Sequence, residues 1–126
     1  MFPSHDPAHS HDRGVKEENK NPDLTILHGN NAYPTPLDDI NLLQIPKIIE
    51  KYPNISVGLS DHTEGIMVPP VAVSLGAKYI EKHYTLSRTL PGPDHPFAIE
   101  PNELIQMICD ISEIEKTLKT KNNKLI

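Results

Sequence analysis

Two histidines, His62 and His83, stand in the short polar segments SDHT and EKHY, each at the end of an apolar run of strand length. If those runs are neighbouring parallel strands, the two imidazoles meet at one end of a sheet. They would then form half of a site for a divalent transition metal, with water or substrate oxygens completing the coordination. The same positions also suit histidines that hydrogen-bond nearby backbone, and spacing alone leaves both readings open.

Other polar residues cluster at equivalent points of the chain. Asn31 and Tyr33, in GNNAYPTP, offer hydrogen bonds suited to a sugar or an enolic oxygen, and Ser60 with its adjacent backbone amides, or Lys82, could hold an anion. Asp94, in PGPDH, could orient a hydroxyl. Each has a plainer alternative. Ser60 and Asp94 suit turns, Tyr33 before Pro34 could simply shape its loop, and Lys82 could point into solvent. A nucleophilic triad has little support, because Ser60 is not in a G-x-S-x-G elbow, and no nucleotide-type glycine loop is present.

The elements needed to position these residues follow from hydrophobic spacing. LTILH, from Leu24, reads as a first strand, and Leu37 to Ile49 then shows helical spacing with Asp38 and Asp39 near its amino end. Pro46 interrupts that pattern, so the reading predicts a kink, or a helix restarting near Ile45 with the proline in its first turn. ISVGLS is a second buried strand and VPPVAVSLGA a second helix, whose prolines fit a first turn and whose Gly76 fits an end. KYIEKHYTL is a third strand, SRTLPGPDHP a loop, and Pro101 to about Lys119 an amphipathic helix. Alternating strands and helices at these separations imply parallel strands joined by right-handed crossovers, in either an open doubly wound sheet or a closed barrel. In both, the loops after the strands form the binding face.

Length and composition narrow the function classes. At 126 residues the chain is too short for a complete eight-unit barrel, which takes roughly 250. Net charge is −5 with no long basic block, which argues against nucleic acid as the main partner, although a local site can still attract an anion. No apolar run reaches the roughly 20 residues of a membrane span, and the first residues lack a secretory pattern, so a cytoplasmic protein is expected. Residues 1 to 23 are polar and read as a disordered leader in which His5, His9 and His11 would catch a metal only loosely, and residues 120 to 126 read as a frayed tail. Cys109, the single cysteine, lies in the apolar stretch LIQMICDI and is expected to be a buried structural thiol.

Taken together and in order, HGNNAYPTP, VGLSDHTEG, LGAKYIEKHYTL and LPGPDHPFAIEPNEL resemble the sialic acid synthase, or N-acetylneuraminate synthase, family. That family includes legionaminic and pseudaminic acid synthases and a spore-coat polysaccharide protein. The resemblance runs from about Leu24 to Leu118 and implies an α/β fold, a partial (β/α)8 TIM barrel made of the last three βα units. It implies a metal, usually manganese with magnesium or cobalt as alternatives, held by His62 and His83. Substrate contacts would come from Asn31, Tyr33 and Ser60, with Asp94 on the acceptor sugar.

The implied reaction is condensation of phosphoenolpyruvate with an N-acylmannosamine-type aldehyde, giving a nine-carbon sugar acid and phosphate. Full-length relatives of this kind are expected to be homodimers. The sequence departs from the family in two respects. Gly29 and Asn30 replace the family's more usual residues after the first histidine, leaving acceptor specificity open, and residues 1 to 23 hold no counterpart of the earlier barrel strands. The small carboxyl-terminal domain of relatives is also absent. The expectation is therefore a fragment, inactive alone and needing a complementing chain. The alternative is a non-catalytic assembly module that docks on a complete polysaccharide-biosynthesis enzyme.

Overall fold

The computed structural model describes residues 23–119. The expected leader, with His5, His9 and His11, and the expected frayed tail lie, Asp23 apart, outside those residues. Six elements follow in order: β1 (Thr25–Gly29), α1 (Gln44–Lys51), β2 (Ser56–Asp61), α2 (Val68–Ser74), β3 (Ile80–Lys82) and α3 (Pro101–Thr117), with short 3-10 turns at Leu37–Asp39 and His95–Phe97. The strands form one parallel sheet in the order β1-β2-β3. The alternating pattern read from the sequence is thus realised as a small parallel α/β unit.

Register decides which side chains share a face. Ile26 pairs with Val57, His28 with Leu59, and Leu59 with Ile80, so these residues line the face that carries the helices. Val57 and Leu59 join Ile40, Ile45, Val68, Ala72 and Ala77 in the core. Complete burial of an aliphatic side chain such as Ile45 or Leu59 stabilises the fold by about 1.5–3 kcal/mol each. The other face runs through Leu27, Gly29, Ser60 and Glu81, all exposed or half-buried. Gly58 is the tight point of that face, since a Cβ there would lie 2.4 Å from the Tyr79 carbonyl oxygen and 2.7 Å from Leu27. Only glycine lets β2 sit this close to the segment entering β3.

The interrupted helix after β1 has a local cause. Asn41 adopts φ 49°, a left-handed conformation that ends the preceding 3-10 turn. The chain then restarts as α1 at Gln44, with Pro46 in the first turn, where a proline's missing N–H leaves no helical bond unmade. Pro69 and Pro70 likewise occupy the start of α2, and Gly76 at φ 107° follows its end.

The third strand is shorter than the sequence pattern implied. Beyond Lys82 the chain leaves β2 and pairs with the segment before α3 instead, the Ile99 amide donating to the His83 carbonyl at 3.0 Å and the Thr85 amide to the Ile99 carbonyl at 2.9 Å. Tyr84 and Ile99 form an isolated parallel bridge there. This exchange of partners ties the loop after β3 to the start of α3.

Cys109 is a correction: it is exposed, not buried. The buried side of α3 passes through Met107, and two helical residues turn the chain by about 200°, which carries Cys109 to the far side. Apolar neighbours in sequence, Ile105 and Ile108, are exposed with it. No described helix is long and apolar enough to cross a membrane.

Candidate metal and substrate site

The carboxyl ends of the three strands bring the named polar residues to one side of the sheet. The His62 and His83 rings lie 5.6 Å apart, centroid to centroid, and Tyr33 packs beside both, at 5.4 Å from His62 and 4.6 Å from His83. Phe97 closes the outer side of Tyr33 at 5.5 Å. Phe97 had no signal in the sequence, because it reaches the cluster only through the 3-10 turn after the Pro- and Gly-rich loop.

His62 has a determined orientation. Its Nδ1 lies 2.7 Å from the Asn30 carbonyl oxygen, and a carbonyl can only accept, so Nδ1 carries a proton and, in the neutral ring, Nε2 keeps a free lone pair. This second interaction is what a metal-ligating histidine requires, since it sets both tautomer and ring angle. The two readings of His62 therefore coexist: the ring bonds backbone through one nitrogen and leaves the other for a ligand. Among the described residues no group of three or more His, Cys, Asp or Glu side chains is arranged to hold an ion, so an ion placed between the two imidazoles would have no third such donor there. Two neutral imidazoles suit a divalent transition metal whose other positions are filled by oxygens from elsewhere.

Tyr33 is anchored from two directions. Its ring packs edge-on to His62 and tilted against His83, and its hydroxyl donates to the Asp94 carbonyl oxygen at 3.1 Å, which brings the PGPDH loop against the strand ends. The peptide bond from Tyr33 to Pro34 is cis. Burial, together with the nearby Asp94 charge, holds the phenol above its usual pKa. Asp94 is exposed at the rim. His95, next in sequence, turns inward, its Nδ1 2.7 Å from the hydroxyl of buried Thr85.

Ser60 sits one step below the histidines, on the same open face, and donates to Glu81 at 2.7 Å. Glu81 follows from register, being the direct partner of Ser60. Asn31 is exposed in the turn after β1, beside the Asn30 carbonyl that holds His62. Lys82 is a correction to both sequence readings. It neither points outward nor lies open to a substrate anion, for its ammonium lies 2.9 Å from the Asp61 carboxylate and both side chains are almost fully buried. Lys82 is the partner of Asp61 in register, on the helix-bearing face two residues beyond Leu59 and Ile80, and a long side chain there is drawn under the sheet.

The chain is similar to proteins of one family. The model of the NeuB family matches residues 9–123. Pseudaminic acid synthase from Campylobacter jejuni is 41% identical over 104 residues, covering 82% of this chain and 30% of the relative. A crystal structure of the spore coat polysaccharide biosynthesis protein SpsE from Bacillus subtilis superposes with a TM-score of 0.80 at 39% identity, over 94% of this chain and 33% of that one. A second, of N-acetylneuraminic acid synthetase from Leptospira borgpetersenii in complex with citrate, gives 0.75 at 38% identity, over 81% of this chain and 35% of that one. The chain spans about a third of the length of these relatives.

Proposed function

The chain belongs to the NeuB family, and on that footing we propose that it is the metal-binding and acceptor-binding portion of a synthase that joins phosphoenolpyruvate to an N-acylmannosamine-type aldehyde. Carbon three of phosphoenolpyruvate bonds to the aldehyde carbon, water adds at carbon two, and inorganic phosphate leaves, giving a nine-carbon sugar acid. The three parallel βα units are, in this reading, part of a (β/α)8 barrel whose remaining strands bring further substrate contacts.

The observation that carries the proposal is the cluster of His62, His83 and Tyr33, with Nε2 of His62 left free by the bond from Nδ1 to Asn30. His62 and His83 would hold a divalent ion, manganese being the one that the family resemblance implies, with magnesium or cobalt as alternatives. When bound, such an ion supplies Lewis acidity toward the aldehyde oxygen as negative charge develops there. The chain's own residues do the rest of the positioning. Tyr33 fixes the separation of the imidazoles and screens them from water on one side. Ser60 and Asn31 present hydrogen-bonding groups toward the open face, and Asp94 lies at the rim where an acceptor hydroxyl would enter.

Calorimetric titration of the purified chain with manganese, at a pH where imidazole is neutral, tests the metal site. One-to-one binding lost in both His62→Ala and His83→Ala is expected, whereas binding that survives both substitutions would refute it. For the reaction, the chain is co-expressed with the portion of the Bacillus subtilis relative that it does not match. Phosphate release dependent on both phosphoenolpyruvate and N-acetylmannosamine is expected from the pair and not from the chain alone. A well-formed complex that binds manganese yet turns over no N-acylated amino sugar would count against the assigned reaction.

A further inference from the structure

Directly beneath the histidine pair lies a buried polar network that the proposed chemistry does not use. Lys82 Nζ donates to Asp61 Oδ2 at 2.9 Å and to the Thr63 carbonyl at 2.6 Å. The other carboxylate oxygen, Oδ1, accepts from both the amide and the hydroxyl of Thr63, at 2.9 and 2.7 Å. The side chains of Lys82 and Asp61 are 3% and 0% exposed, and Thr63 is 1% exposed. A buried ion pair is a poor choice for stability alone, because desolvation of the two charges offsets most of their attraction. Its location indicates another use.

Asp61 and Lys82 are register partners on β2 and β3, and each immediately precedes one of the two histidines. By holding the amide, hydroxyl and carbonyl of Thr63, the network fixes the backbone on both sides of His62. The His62 carbonyl in turn accepts from the Thr35 amide at 2.8 Å, and its ring donates to Asn30. The backbone and ring of His62 are thereby tied to β2, β3 and the segment that follows β1. We infer that Asp61, Lys82 and Thr63 form a positioning device that clamps the ends of β2 and β3, and so holds His62 against the Asn30 carbonyl that sets its tautomer and at its distance from His83. The inference concerns the metal site proposed above and rests on that reading for its purpose, although its geometry stands independently.

Nitrogen-15 NMR on the full, metal-free chain, combined with manganese titration, separates the two claims. In the native chain His62 should show the Nδ1-protonated tautomer, with cross-ring contacts from Tyr33 to both histidines. Removing one charge would strand the other, so the variant of choice is the double substitution Asp61→Asn with Lys82→Met, which keeps both shapes and removes both charges. Loss of the single tautomer and a fall in manganese affinity of about tenfold or more are expected, the range found when groups that orient metal-binding histidines are removed. A folded double variant that retains both the tautomer and the affinity overturns the inference. Should that variant fail to fold by circular dichroism, Thr63→Val, which deletes only the hydroxyl bond to Asp61, is read by the same two signals, and unchanged signals again overturn it. A native chain that shows the tautomer but takes up no manganese removes the metal reading alone. The tautomer in the variants then decides the positioning role by itself.

Discussion

At the scale of single residues, Tyr33 links the two halves of the site. Its ring touches both histidines, while its hydroxyl holds the loop that carries Asp94. The phenol's pKa is raised, first by burial and then by Asp94, so the folded state favours the protonated form. The stabilisation this implies is fully present below the ordinary tyrosine pKa near 10 and is lost as pH rises through the higher folded value. An ultraviolet titration of phenolate should therefore show one late-ionising tyrosine in the native chain that disappears in Tyr33→Phe. The substitution should cost about 1 kcal/mol or less in stability, since a net hydrogen bond contributes little more than that. Four tyrosines titrating together at the unperturbed value would contradict it. The sequence marked Tyr33 by its place in a polar loop, but not its contact with the PGPDH loop 61 residues away, because nothing local encodes a partner at that distance. The fate of Lys82 was hidden for a related reason. Its type permits anion binding, solvent exposure or a buried pair, and only strand register puts it opposite Asp61.

At the scale of elements, the start of α3 combines several devices, of which the opening at Pro101 was read from the sequence. Pro101 opens the helix, Glu100 accepts from the amide of Glu103, and the Glu103 side chain accepts from the amide of Glu100, a reciprocal capping box. Arg88, from the loop after β3, binds both carboxylates, so the same residues that begin the helix also anchor the loop leading to Asp94. Glu103 has its pKa lowered, mainly by the Glu100 amide and then by Arg88. Its contribution to stability is accordingly present above the usual glutamate pKa and lost as pH falls through the lower folded value. Glu103→Gln should weaken the fold by about 1 kcal/mol at neutral pH, the ordinary size of a cap contribution, and by much less in acid where Glu103 is itself protonated. Urea unfolding of both proteins across that range checks this, and an equal difference at every pH would rule out the carboxylate as the cause. The strands, the proline-started helices and the break before Pro46 were legible because apolar period, proline and glycine act locally. The early end of β3 was not, since KYIEKHYTL is strand-like throughout and what stops it is competition from Ile99, about 15 residues further on.

At the scale of the whole molecule, the described sheet has three strands, and β1 and β3 each pair on one side only. Its second face offers exposed Leu27, while α3 exposes Ile105 and Ile108, so apolar surface lies open on both layers. Relatives about three times as long contain this unit as one part of a larger fold, which gives such edges and faces natural partners. In isolation, unpaired parallel edges with apolar neighbours favour association with other chains. Stability of the 126-residue chain should then depend on its own concentration, because any assembly that forms only from folded units shifts unfolding by mass action. Thermal unfolding repeated over a hundredfold range of concentration, with sedimentation at each end, should show a rising midpoint and species larger than a monomer. The complementing portion of a relative should abolish that dependence by covering the same edges. A sharp monomeric transition, independent of concentration, would mean instead that the core around Ile45 and Leu59 suffices by itself, and that the open edges are tolerated.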